Sequence, residues 1–153
     1  MKIGIGCDTK GYRLKLHLIR VLQDNGYEVE DVGCHTLEKV DYPDYAKIVG
    51  EGVAQGRYDR GVLICGTGQG MNIAANKIPG VRAALCFDML PAIISREHND
   101  ANVFCTGGWM IAPDKAAQIL LEWLEMRYAG GLHEEKLEKI RAMEAEYHPA
   151  PAD

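Results

Sequence analysis

A cysteine stands directly before a glycine-rich loop near the middle of the chain. Cys65 is followed by Gly66-Thr67-Gly68-Gln69-Gly70, and three glycines within five residues let backbone N–H groups approach a ligand oxygen before a helix begins. The positive end of that helix dipole favours the thiolate form of a neighbouring cysteine. The segment therefore predicts a base or nucleophile beside an oxyanion-binding loop. The alternative is a small buried residue that ends a strand, which is what we predict for Cys7, Cys86 and Cys105.

Other glycine-rich phosphate loops do not fit this segment. A P-loop needs Lys and Ser or Thr after its last glycine, whereas Met71-Asn72 follow Gly70. A cysteine phosphatase loop would need an arginine about where Met71 stands. The dinucleotide fingerprint also fails, because the next glycine after Gly4-Ile5-Gly6 comes only at Gly11. The sequence therefore disfavours a nucleotide-binding module.

Two further polar clusters flank predicted strands. Cys7-Asp8-Thr9 follows the first strand, and His98-Asn99-Asp100 precedes the last. Ligands of an open parallel sheet bind beyond the carboxyl ends of the strands, so we expect both clusters to share one rim with the Cys65 loop. Taken alone, Asp8 also fits a helix cap, Thr67 a turn residue and His98 a surface histidine at a helix end.

The elements that must position these residues alternate along the chain. Short runs rich in Ile, Val and Leu predict strands at residues 2–7, 28–32, 61–65, 81–86 and 102–106. Helical patterns lie at residues 13–25, 44–55, 70–77, 89–97 and 113–128, and an amphipathic pattern at 132–147 predicts a C-terminal helix that packs on the domain or on a partner subunit. This alternation is typical of an α/β fold with a parallel sheet.

Composition excludes several classes of protein. The 153 residues carry a formal net charge of -5 without a basic run, so the sequence indicates no nucleic-acid partner. It contains no apolar run of membrane-spanning length, and we expect a cytoplasmic protein. Five widely spaced cysteines predict neither disulfides nor a metal site. Residues 1–148 are predicted to form one domain, and residues 149–153 a disordered tail.

Several motifs in order resemble the ribose-5-phosphate isomerase B and galactose-6-phosphate isomerase family. The similarity covers residues 2 to about 140. The motifs are Gly6-Cys7-Asp8, Asp41-Tyr42-Pro43-Asp44-Tyr45-Ala46, Ile64-Cys65-Gly66-Thr67-Gly68, Ala74-Ala75-Asn76-Lys77, Gly80-Val81-Arg82-Ala83 and Glu97-His98-Asn99-Asp100-Ala101-Asn102.

The resemblance implies a fold, an assembly and a set of roles. The fold would be a Rossmann-like three-layer α/β/α sandwich with five parallel strands, in a homodimer with shared active sites; a tetramer stays open. No metal or cofactor is implied. His98 and the segment around Trp109 would meet the Cys65 loop of a neighbouring subunit. Cys65 would be the catalytic base. Thr67 and the loop amides at Gly66, Gly68 and Gly70 would stabilise an enediolate. His98 would assist ring opening, and Asp8 and Asn99 would hold sugar hydroxyls.

The chemistry of the residues agrees with these roles. Aldose–ketose isomerisation removes a proton from the carbon next to a carbonyl, so it needs a base and hydrogen-bond donors aimed at the developing oxyanion. Cys65 and its loop supply both. The alternative hypothesis is a non-catalytic sugar-binding or regulatory subunit of the same fold, against which the joint presence of Cys65, Thr67 and His98 argues.

The sequence departs from the family at positions that bind substrate phosphate in relatives. Thr9 replaces a histidine, Trp109 and Leu132 replace arginines, and only His133 is retained. A second arginine of the last segment becomes Lys136, and Lys10 is the other nearby cation. Loss of guanidinium groups predicts weakened phosphate recognition and favours an unphosphorylated sugar, unless Lys10 and Lys136 hold the anion as point charges.

Overall fold

Five parallel strands form the centre of the molecule. The computed structural model describes residues 1–148, so the predicted disordered tail at 149–153 lies outside the described residues. The strands are β1 (Lys2–Cys7), β2 (Glu28–Gly33), β3 (Arg60–Cys65), β4 (Ala83–Leu85) and β5 (Val103–Gly107). Their order in the sheet is β2-β1-β3-β5-β4, and every neighbouring pair is parallel. The chain leaves β1 for β2 on one side and returns to β3 on the other, so strand order reverses between β1 and β3.

Helices cover both faces of this sheet. They are α1 (Tyr12–Asp24), α2 (Tyr42–Ala54), α3 (Gln69–Ala75), α4 (Met89–Glu97), α5 (Pro113–Glu125) and α6 (Glu134–Tyr147), with a short 3-10 helix at Gly131–His133. The predicted α/β/α sandwich is confirmed. None of the helices within residues 1–148 has the length and hydrophobicity needed to cross a bilayer.

Alternate residues of each strand pack into two separate cores. Val62 and Ile64 pack on the face covered by α1, α4 and α5, whereas Leu63 and Cys65 pack on the face covered by α2 and α3. Successive side chains of a strand point to opposite faces, so a continuous apolar run is what a strand covered on both sides requires. The same alternation places Cys65 at the end of the α2–α3 side.

Two elements are each three residues shorter than the sequence predicts. The fourth strand is only Ala83–Leu85, and the fifth helix ends at Glu125 instead of residue 128. Met126 takes an extended backbone with ψ 131°, and the N–H of Ala129 then donates to the carbonyl of Glu97 at 2.9 Å. This contact directs the chain toward the end of α4, which places the 3-10 helix beside His98.

Candidate active site

The sulfur of Cys65 is held by the loop that follows it. Cys65 ends β3 and is 5% exposed, and the backbone N–H of Gly68 donates to its Sγ at 3.1 Å. Gly68 has φ +75°, and a Cβ at this position would lie 2.6 Å from Leu85 Cδ1 and 2.8 Å from the Thr106 carbonyl carbon. Only glycine fits both the left-handed backbone and the space. The N–H of Gly68 is therefore a hydrogen-bond donor aimed at the sulfur.

The end of β5 fixes the other side of this loop. The N–H of Gly108 donates to the carbonyl of Cys65 at 2.8 Å, and the N–H of Trp109 donates to that of Gly66 at 3.0 Å. The Trp109 ring covers Gly66, where a Cβ would approach it to 2.9 Å. The Trp109 segment therefore contacts the Cys65 loop of its own chain, because of the register of β3 with β5, and its contact with the loop of a neighbouring subunit stays a prediction.

Tyr42 is a loop neighbour that sequence reasoning missed. It is the first residue of α2 and 40% exposed, and its ring lies where a Cβ on Gly70 would approach to 2.7 Å. Thr67, between the glycines, is exposed, and its Oγ1 accepts the N–H of Gln69 at 3.4 Å. The ring of Tyr42 and the hydroxyl of Thr67 therefore both border the space above the loop. The only sequence signal for Tyr42 was its place in a motif before Pro43.

Asp8 lies at the neighbouring strand end, on the other side of the point where strand order reverses. Its backbone N–H donates to the carbonyl of Ile64 at 3.1 Å, and its Oδ1 accepts the N–H groups of Lys10 at 2.9 Å and Gly11 at 3.1 Å. One carboxylate oxygen thus closes the turn before α1, but Asp8 is not the helix cap of the alternative prediction, because the N-cap of α1 is Gly11. Thr9 is also engaged, since its Oγ1 donates to the carbonyl of Glu38 at 2.8 Å. The role of Asp8 toward a sugar stays a prediction.

His98 and Asn99 do not share this rim within one chain. They follow α4, which runs back from the carboxyl end of β4 to the amino end of β5. The four residue steps that pair Gly61–Cys65 with Val103–Gly107 correspond to about 13 Å at the usual strand rise. The prediction of one common rim is wrong, because a segment that precedes a strand lies at its amino end.

The His98 turn is nevertheless well fixed. The rings of His98 and His133 stack with centroids 4.1 Å apart and an interplanar angle of 16°. Asp100, with φ +45°, accepts hydrogen bonds from Arg82 at 2.8 Å and Arg96 at 2.7 Å. The remaining predicted residues of this edge are the exposed Leu132, at 78%, and the exposed Lys136. The predicted site residues thus form one group at each edge of the sheet.

The other cysteines differ from Cys65 in their surroundings. All five are buried free thiols, and Cys7, Cys86 and Cys105 lie in the two cores as predicted. Burial raises the pKa of Cys86 to about 12 and raises the pKa values of Cys105 and Cys7 as well. These three therefore stay protonated at neutral pH. Within residues 1–148, no three His, Cys, Asp or Glu side chains form a group that could hold a metal ion.

Comparison with known proteins agrees with this geometry. The family model described as Ribose/Galactose Isomerase matches residues 3–140. Ribose-5-phosphate isomerase B of Escherichia coli (strain K12) is 44% identical over 143 residues, 94% of this chain and 96% of the relative. D-erythrulose-4-phosphate isomerase of Pectobacterium atrosepticum is 39% identical over 92% of this chain and 93% of its own length.

A solved structure extends the likeness to three dimensions. Clostridium thermocellum ribose-5-phosphate isomerase B has a TM-score of 0.95 at 48% identity, with 96% of this chain and 99% of that chain covered. The resemblance inferred from the motifs is thereby confirmed over nearly the whole chain. The protein belongs to the ribose/galactose isomerase family.

Proposed function

We propose that this protein is an aldose–ketose isomerase that acts on a sugar phosphate through an enediolate, with Cys65 as the base. The observation that carries the proposal is the hydrogen bond from the N–H of Gly68 to Cys65 Sγ. It aims a hydrogen-bond donor at the sulfur of a nearly buried cysteine, on the loop that also carries the exposed Thr67. The names of the relatives, which are isomerases of phosphorylated sugars, support the same reaction.

The reaction needs two proton transfers at neighbouring carbons. The Cys65 thiolate removes the proton from the carbon next to the carbonyl, and the electron pair moves onto the carbonyl oxygen to give the enediolate. Thr67 and the loop amides donate hydrogen bonds to that oxygen as its charge develops. A proton then moves from the hydroxyl oxygen of the intermediate to the oxygen of the former carbonyl, and the electron pair left on the first oxygen forms the new carbonyl as the Cys65 thiol gives its proton to the former carbonyl carbon. This step restores the thiolate. No oxidant or reductant is consumed.

A second subunit would complete the site in this proposal. His98 and Asn99 lie at the edge opposite to Cys65, so only another copy can bring them to the loop. A cavity of about 490 Å³ beside Asn99 supports such a contact. It lies between α6 and the body of the chain, and Met143 and Tyr147 of α6 border it while remaining 58% and 70% exposed. An apolar helix face of this kind is a typical subunit contact.

A second candidate substrate is an unphosphorylated sugar. Trp109 is 67% exposed and Leu132 78% exposed, at two positions where the family resemblance implies phosphate-binding arginines. Neither side chain carries a positive charge that would attract a phosphate, but an indole ring packs well on the face of a sugar. This candidate shares the Cys65 chemistry and differs only in the far end of the substrate.

Substitution of Cys65 tests the catalytic proposal. Cys65→Ala should lower kcat/KM for aldose–ketose conversion by at least 100-fold, the usual contribution of a positioned base, with the circular dichroism spectrum unchanged. Cys86→Ala is the matched control, since it removes another fully buried thiol away from the loop and should retain parental activity. Cys65→Ala activity within tenfold of the parent would reject Cys65 as the base.

Isotope incorporation tests the intermediate. In heavy water the proton carried by Cys65 exchanges with solvent during the lifetime of the enediolate, so the product should carry deuterium at the carbon that receives it. Product free of deuterium at slow turnover would instead indicate a hydride shift between the two carbons, and the enediolate would be excluded.

A further inference from the structure

The turn that carries His98 and Asn99 is held by an arginine for which the proposed mechanism gives no role. Arg82 stands directly before β4, in one of the motifs on which the family resemblance rests. Its Nε donates to the carbonyl oxygens of Asn99 and Asp100, both at 3.0 Å, and its Nη2 donates to Asp100 Oδ2 at 2.8 Å. One guanidinium group therefore contacts the turn at three oxygens.

The register of the sheet brings Arg82 to this turn. Ala83 pairs with Val103 at the amino ends of β4 and β5, so the residues just before the two strands lie side by side. The backbone N–H of Arg82 donates to Asn102 Oδ1 at 2.7 Å, and the N–H of Asn102 donates to the carbonyl of Arg82 at 3.0 Å. These bonds fix the main chain of Arg82, and its side chain then extends to the turn ahead of β5.

The backbone of the turn is in a costly conformation. Asp100 has φ +45°, and a left-handed backbone costs free energy in residues other than glycine, so it persists only where the surroundings hold it. Its carboxylate lies between two guanidinium groups, since Arg96 Nη1 donates to Asp100 Oδ1 at 2.7 Å. Arg96 is 3% exposed and anchors the turn to the core. Arg82 has 23% of its side chain exposed and borders the same cavity as the exposed Asn99.

We propose that Arg82 is a positioning residue of the reaction, which holds His98 and Asn99 in the geometry with which they enter the active site of a second copy of the chain. The inference rests on the proposed function, in which the Cys65 loop and this turn come from different copies. The bonds from Arg82 fix the peptide groups on both sides of Asp100, and with them the direction in which the two preceding side chains leave the turn. An ammonium group lacks the planar fork that makes these contacts together.

Loss of this guanidinium group should lower activity without loss of the fold. In Arg82→Ala, Asp100 keeps its bond from Arg96, so the circular dichroism spectrum should match that of the parent. The kcat/KM for aldose–ketose conversion should fall about 10- to 100-fold, as expected when groups of an active site are displaced by about 1 Å. Arg82→Lys keeps the charge without the fork and should recover only part of this loss. Arg20→Ala, which removes an exposed arginine of α1, is the matched control and should retain parental activity.

Subunit mixing distinguishes positioning from a general structural role. A mixed dimer of Arg82→Ala and Cys65→Ala chains has one site in which the first chain supplies an intact loop and the second an intact turn. Random mixing of equal amounts should therefore restore about a quarter of parental activity. Mixing Arg82→Ala with His98→Ala should give no such recovery, because every site then contains an altered turn.

Mixed dimers of Cys65→Ala and His98→Ala are the reference that separates this proposal from the proposed function. If they recover activity but dimers of Arg82→Ala and Cys65→Ala do not, the shared site stands and positioning by Arg82 is rejected. Recovery with His98→Ala, or parental activity of Arg82→Ala alone, would also overturn the role of Arg82 and leave the reaction untouched. A parent that isomerises no sugar would reject the proposed function and the positioning role together.

Discussion

His98 and Cys65 lie at opposite edges of the same parallel sheet. Cys65 ends β3 beside Gly107, while His98 follows α4 and precedes the amino end of β5. A helix that connects two parallel strands must run back to the starting edge, so this separation follows directly from the topology. A mechanism that uses both side chains therefore needs two copies of the chain.

Mixing two inactive variants tests this requirement. If the proposed homodimer forms the site, the Cys65→Ala and His98→Ala variants should each be nearly inactive, because every site lacks one group. After subunit exchange, each mixed dimer has one site with both groups intact, so random mixing of equal amounts restores about a quarter of parental activity. Activity is measured after exchange has been verified by mass spectrometry of tagged chains. Exchanged dimers that remain inactive would show that the two residues do not share a site.

Much of the fold was predictable from sequence because the sheet is covered on both faces. The apolar run at Val62, Leu63 and Ile64 has no polar alternation. The predicted strands match the observed ones within one residue at each end, except that β4 begins two residues later and ends one residue earlier than predicted. The edge on which His98 lies was predicted wrongly, although its place ahead of a strand already implied the amino end.

Other site contacts depend on distant segments and have no local sequence signal. Trp109 reaches Gly66 only because β5 pairs with β3 in one register. Tyr42 reaches Gly70 because α2 packs against α3. Residue type and spacing identified the Cys65 loop, but only the packing of separate elements identifies its neighbours.

The glycine after Thr67 should be essential for the geometry of the loop. Gly68→Ala places a Cβ 2.6 Å from Leu85 Cδ1 and 2.8 Å from the backbone of Thr106, at φ +75°. The loop must shift, which moves the N–H from Cys65 Sγ, so we expect kcat to fall at least 100-fold, as for loss of one oxyanion-hole donor. Steady-state rates and urea unfolding measure the two effects.

Gly26→Ala separates backbone strain from crowding. Gly26 also has a left-handed backbone, with φ +82°, but nothing lies within 4 Å of a Cβ there. It should lower the free energy of unfolding by about 1 kcal/mol and leave kcat unchanged. Full activity of Gly68→Ala would mean that the loop tolerates displacement, and the hydrogen bond to sulfur would then have no catalytic weight.

The buried lysine of α1 should be important for stability. Lys15 is fully buried, and its Nζ donates to Asp31 Oδ1 at 2.6 Å, to Asp31 Oδ2 at 2.8 Å and to the carbonyl of Cys34 at 2.7 Å. Lys15→Met leaves the Asp31 carboxylate without its partner, so the free energy of unfolding should fall by about 3 kcal/mol in urea titrations. Lys47→Met, which breaks an exposed 3.8 Å pair with Glu51, should change it by less than about 0.5 kcal/mol. Similar losses in both variants would exclude a special role for the buried pair.

Selective alkylation should identify Cys65 in the native protein. Iodoacetamide reacts with thiolates, and burial raises the pKa of Cys86 to about 12 and the pKa values of Cys105 and Cys7 above that of a free thiol. Cys34 is 1% exposed with its sulfur 3.6 Å from that of Cys7, so it is shielded as well. Cys65 combines 5% exposure with the hydrogen bond from Gly68.

We expect peptide mapping at neutral pH to find the first modification on Cys65. The modified fraction of Cys65 should equal the fraction of activity lost, and a bound sugar phosphate should slow the modification. First modification at Cys34 or Cys7 with activity retained would contradict a thiolate at Cys65.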